Sequence, residues 1–127
     1  MSIFTSKLIL WPLSGGKKWQ LVETFGFWTG QSVGQGEYIE VPAGFVTDFA
    51  TVPRVFWFVI PPWGRYGKAA VLHDYLYAQQ RSSRKRCDRI FKHAMKILSV
   101  PRWKVFLIYN SVKLFGWISY NKKGKQL

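Results

Sequence analysis

KAAVLHDYLYAQQRSSRKRCDRIFKHAMKIL, residues 68–98, is the stretch that decides how this 127-residue chain folds. From Lys68 to Gln80 it contains neither Gly nor Pro, and Leu72 and Leu76 recur one helical turn apart, which predicts a helix. Ser82 and Ser83 follow. Either hydroxyl can accept a bond from a backbone amide just downstream and so cap a second helix. Cys87, Ile90, Phe91, Ala94, Ile97 and Leu98 then recur at spacings of three and four, the stripe of an amphipathic helix. A connection this short predicts that the two helices pack as an antiparallel pair.

Downstream, Pro101 opens a third helical segment, Trp103 to about Phe115, which Gly116 is expected to close. Lys122, Lys123 and Lys125 are expected to lie in a frayed tail. Upstream, the composition turns to strand. Trp19 to Phe25 alternates loosely, and Phe27, Trp28 and Thr29 continue the aromatic and β-branched run. Gly34-Gln35-Gly36 marks a turn, and Glu37 to Val41 alternates polar and apolar before Pro42. With an earlier turn at Ser14-Gly15-Gly16, this predicts an antiparallel β-meander through about residue 46. Pro61, Pro62, Gly64 and Gly67 make residues 61–67 a loop. The expected fold is therefore α+β, strands first and three helices after. It is expected to form one domain over 1–127: mainly strands in 1–46, a loop region in 47–67, helices in 68–118 and a basic tail in 119–127.

Hydrophobic residues make up 48% of the chain and aromatics 18%, with seven Trp, which excludes a disordered chain. The single Cys87 excludes an internal disulfide and fits a reducing compartment. The apolar run Leu8-Ile9-Leu10-Trp11 stops at Pro12, too short for a secretory leader. The run from Val105 to Ile118 is broken by Asn110 and Lys113 and falls short of a bilayer span, so no integral membrane segment is expected.

Nineteen Lys and Arg against six Asp and Glu give a net charge of +13, unevenly distributed. Residues 1–63 are neutral, with Lys7, Lys17, Lys18 and Arg54 balancing Glu23, Glu37, Glu40 and Asp48. The other fifteen cations lie from Arg65 onward, where the only acids are Asp74 and Asp88. An anionic partner is expected, whether membrane surface, nucleic acid or acidic protein. A solvated helix face accounts for the same charge.

His73, Tyr77 and Gln80 share one face of the first helix. In an antiparallel pair turning at 81–82, His73 lies roughly 12 Å before the turn and Asp88 roughly 9 Å after it, so they meet at the same height. A carboxylate there can hold His73 in one tautomer and orient it as a general base. Asp74 points about 100° away from His73 and can offer a hard cation a ligand, together with carbonyls of the Gly64–Gly67 loop. Asp48, at the start of the loop region, is a further acid for a metal. His93 falls beside Arg86, Arg89 and Lys96 on the polar face and is expected to be solvated. The bland alternative is that Asp88 pairs with Arg65 or Lys92 and the polar cluster only joins two helices.

Two resemblances sharpen this. GFVTDFATVPR (residues 44–54), AAVLHDYLY (69–77), RCDRIF (86–91) and Ala94-Met95 together resemble a family of small tailed-phage and prophage proteins, known as a domain of unknown function (number 1353). That resemblance implies a phage or prophage origin, a place in the host cytoplasm or the virion and a phage structural protein among the candidate partners, but no activity. AVLHDYLY (70–77) with CDRIF (87–91) is similar to the helix pair of phospholipases A2, nearest the disulfide-free version of parvovirus capsids. The resemblance implies that His73 activates water, Asp74 binds Ca²⁺, Asp88 orients His73 and Tyr77 supports the network by hydrogen bonding. Three functions follow as expectations. The first is a phage-encoded lipid hydrolase; the second is a non-catalytic virion, tail or accessory protein; the third is a nucleic-acid binder using Arg81, Arg84, Lys85, Arg86 and Arg89.

Overall fold

The computed structural model describes residues 4–5, 8–15, 18–30, 34–48, 67–80 and 83–125. The chain forms two compact units, Met1–Asp48 and Phe49–Leu127.

Among its described residues the first unit holds five short antiparallel strands: β1 (Leu10–Pro12), β2 (Trp19–Leu21), β3 (Phe25–Trp28), β4 (Tyr38–Val41) and β5 (Val46–Thr47). In β4, Ile39 and Val41 are buried while Tyr38 and Glu40 are exposed, the period of two expected of a sheet with one covered face. Phe4, Leu21, Phe25, Phe27, Ile39 and Val41 make the core, with the Phe4 ring 4.7 Å from that of Phe27.

The strands are antiparallel as the alternation predicts, but they are not a simple meander. β3 and β4 form a hairpin in the register Phe25↔Val41 and Trp28↔Tyr38, whereas β5 passes over β4 to pair with β2, giving the order β1-β2-β5. Two local features cause this. The expected strand from Trp19 to Phe25 breaks at Val22–Thr24, where the Thr24 hydroxyl accepts from the Ala43 amide at 2.8 Å. Gly44 then adopts φ of +95°, a conformation other residues resist, and its amide donates to the Leu21 carbonyl at 2.7 Å. β1 escapes sequence reading because Pro12 argues against a strand. It is tolerated because β1 is an edge.

The β3–β4 turn is held by bonds from the Gly30 amide to the Gln35 carbonyl and from the Glu37 amide to the Thr29 hydroxyl, at 2.9 and 2.8 Å. A Cβ on Gly30 would stand 2.6 Å from the Gln35 carbonyl carbon, and backbone cannot swing aside. Gly30→Ala is therefore expected to destabilise the unit by about 1–3 kcal/mol, read by thermal unfolding. Gly26→Ala is the contrasting case, because the atoms nearest its Cβ all belong to the half-exposed side chain of Tyr38, which can rotate away. Equal losses in the two variants would show that the Gly30 contact does not set the turn.

The second unit holds α1 (Gly67–Gln79), α2 (Arg84–Ile97) and α3 (Arg102–Lys125), each packed against the other two. α1 is central, and Ala69, Ala70, Val71, Leu72, His73, Asp74, Leu76 and Tyr77 are all buried. α2 is amphipathic, burying Cys87, Asp88, Ile90, Phe91, Ala94 and Met95, and its N-cap is Ser83, whose hydroxyl accepts from the Arg86 amide at 3.2 Å.

α3 corrects one expectation. Gly116 does not close it; the helix continues to Lys125, so Lys122, Lys123 and Lys125 lie on helical backbone rather than in a separate tail. An interior Gly costs only about 1 kcal/mol relative to Ala. Beyond Gly116, the Tyr120 carbonyl accepts from the Gln80 side chain, and the Tyr120 ring meets Tyr77 edge-on at 5.2 Å. Among the described residues no helix is long and apolar enough to cross a membrane. Residues 49–66, with Gly64 and Arg65, lie outside the described residues.

Candidate functional site

α1 places His73 and Tyr77 one turn apart, and the first half of α2 brings Asp88 to them. His73 Nε2 lies 2.7 Å from Asp88 Oδ1, and the Tyr77 hydroxyl donates to the same oxygen at 2.5 Å. The other carboxylate oxygen is 3.8 Å from Arg84 Nη1 on the preceding turn of α2. The His73 ring stacks on Phe91, with centroids 4.3 Å apart and planes 18° from parallel, and packs against Tyr77 at 4.1 Å. His73 and Tyr77 are completely buried and Asp88 is 4% exposed. His73 and Asp88 thus stand at one height on the two helices, as their distances from the turn predict.

The shared oxygen determines the proton positions. A carboxylate only accepts, so the ring nitrogen that meets it, Nε2, carries hydrogen, and in neutral His73 the lone pair resides on Nδ1. Burial, then the hydrogen bond to Asp88 and its charge, push the Tyr77 phenol far above its ordinary range, so it stays a donor. Burial pushes the neighbouring Cys87 thiol up to about 11, which keeps it out of thiolate chemistry near neutral pH.

Of the metal candidates, only Asp74 is a described residue of the helical unit. Asp74 is completely buried in α1, Asp48 belongs to the first unit, and Gly64 lies outside the described residues. Among the described residues no group of three or more His, Cys, Asp or Glu side chains stands where it would hold a metal ion. His93 is partly exposed on α2.

Two contributors were not singled out from the sequence. Phe91 was read only as part of an apolar stripe, although its position three residues after Asp88 puts it on the same face of α2. Arg84 was grouped with phosphate-binding cations. Its guanidinium is partly buried, turned toward Asp88, and donates to the carbonyls of Val112 and Lys113 at 3.3 and 3.1 Å, tying α2 to α3. The expected alternative partner Lys92 instead stands over the Tyr109 ring, 4.8 Å from its centroid.

Fold and site together define a small α+β protein whose helix pair encloses a His–Asp–Tyr network on one carboxylate oxygen. The chain belongs to the family described as Protein of unknown function (DUF1353), whose model matches residues 19–112, from β2 into α3. It is also similar to the uncharacterized protein y4jT of Sinorhizobium fredii (strain NBRC 101917 / NGR234), with 36% identity over 78 residues. That match covers 60% of this chain but only 23% of the length of y4jT. No solved structure matches the chain.

Proposed function

We propose that the protein is a hydrolase in which His73 is the general base for attack of water on an ester, with membrane phospholipid as the substrate class. The observation that carries this is the pair of bonds from His73 Nε2 and Tyr77 to one oxygen of Asp88. With Nε2 held by the carboxylate, Nδ1 takes the proton of the attacking water as its oxygen bonds to the ester carbonyl carbon. The alkoxide then leaves with that proton as the ester C–O bond breaks. Asp88 offsets the charge of the imidazolium in between, and Tyr77 and Phe91 keep carboxylate and ring in place. Ca²⁺ is the metal that the phospholipase resemblance brings to Asp74. The described residues do not build a site for it, so no step is assigned to it.

The origin proposed for such an enzyme is a phage or prophage, acting in the host cytoplasm or carried in the virion. The test is release of fatty acid from phosphatidylglycerol vesicles, with Ca²⁺ and with chelator. Release is expected from the intact protein and should fall by about 10² or more in His73→Ala. Release that survives the substitution removes His73 from the reaction.

One observation favours a second reading. Complete burial of His73 and Tyr77 suits a structural network that joins α1 to α2 in a non-catalytic virion, tail or accessory protein. Mass spectrometry of purified particles separates a virion component from an accessory protein.

A further inference from the structure

α3 carries two apolar faces. Val105, Ile108 and Val112 point into the helical unit and are buried. Trp103, Phe106, Leu114 and Trp117 lie on the opposite side within an arc of about 80°, and each is more than half exposed. A helix at a solvated surface ordinarily turns polar residues outward. Here the outward stripe is mainly aromatic and aliphatic, with Asn110, whose amide donates back to the Phe106 carbonyl at 2.7 Å, and Asn121 in the same arc. It runs along a helix about 36 Å long and is flanked by Arg102, Lys104 and Lys113.

A groove of about 720 Å³ opens beside this stripe between α2 and α3. Phe106 belongs to both. Lys92, Lys96 and Arg102 provide its cationic side and Val105, Phe106 and Tyr109 its apolar side, and among the described residues no acid lines it. Three cations without a carboxylate, above aromatic surface, match an anionic headgroup joined to hydrocarbon.

We infer that the outer face of α3 and the adjoining α2–α3 groove dock on an anionic lipid bilayer, the groove taking a headgroup phosphate while the aromatic stripe enters the headgroup–acyl boundary. Charge complementarity selects this occupant. Fifteen of the nineteen cations lie from Arg65 onward with only two acids, Asp74 and Asp88, both buried. α3 lies on the surface and does not cross, since no described helix is apolar enough to span. The choice of lipid as the anion rests in part on the hydrolase reading, so its test is kept separate from hydrolysis.

Co-sedimentation of the intact chain with vesicles of ether-linked phosphatidylglycerol and phosphatidylcholine, which no esterase cleaves, measures docking alone. Binding is expected to rise with phosphatidylglycerol and fall with salt. It should weaken about fivefold for each of Lys92→Ala and Lys96→Ala. Phe106→Ser with Trp117→Ser should weaken it about tenfold or more, with circular dichroism unchanged because both residues are exposed. Equal binding to phosphatidylcholine alone overturns the inference. So does displacement by soluble glycerol phosphate at equal phosphate concentration, which would make the groove a free-phosphate site. A dimer that the Phe106→Ser, Trp117→Ser pair dissolves in sedimentation overturns it too, as would retention on duplex DNA but not on vesicles.

Discussion

Asp88→Ala is expected to destabilise the helical unit by about 3–5 kcal/mol, because two buried donors lose their one charged acceptor. A domain is stable by only about 5–15 kcal/mol, so this brings the unit close to unfolding. The size follows from what the carboxylate leaves behind. His73 Nε2 and the Tyr77 hydroxyl both meet Oδ1, both side chains are fully buried, and loss of that acceptor orphans two donors at once. Arg84 loses less, because it keeps the carbonyls of Val112 and Lys113. Urea unfolding followed by circular dichroism measures the loss. A loss below about 1 kcal/mol would show that the network does not hold α1 to α2.

The site was more legible in sequence than the fold around it, for a physical reason. His73, Tyr77 and Asp88 lie on two helices joined by a few residues. Helical rise and the position of the turn therefore fix their heights, and no distant contact can shift them. Phe91 followed from the same periodicity but carried no polar signal. The errors came where partners lie far apart in sequence. β5 pairs with β2 across some 25 residues because of a break at Val22–Thr24 and the turn at Gly44, neither of which hydrophobic alternation records. α3 runs past Gly116 while Tyr120 meets Gln80 and Tyr77, forty or more residues earlier. Arg84 likewise reads as one of many cations until α3 presents two carbonyls to it. Charge alone predicts only the sign of a partner, whereas the exposure of Trp103, Phe106, Leu114 and Trp117 on one side of α3 depends on how that helix packs.

Asp88→Asn separates the two readings of the network, because it changes charge while keeping shape. The amide oxygen of Asn can still accept from both His73 and Tyr77, so the unit should remain folded, with a loss of about 1–2 kcal/mol. An amide carries no charge, however, to offset the imidazolium that forms when His73 takes a proton from water, and the carboxylate it replaces stands 2.7 Å from Nε2. If the amide turns its NH₂ toward the ring, Nε2 must become the acceptor and the proton moves to Nδ1, which removes the base altogether. Either outcome should lower fatty acid release by about 10²-fold or more, as in His73→Ala, with vesicle binding unchanged because α2's Lys92 and Lys96 and the outer face of α3 are untouched. A folded Asp88→Asn protein that hydrolyses lipid within about tenfold of the intact chain would mean that the charge of Asp88 does not serve catalysis. His73, Tyr77 and Asp88 would then be a clasp between two helices, chosen for its fit in the core rather than for any proton it moves.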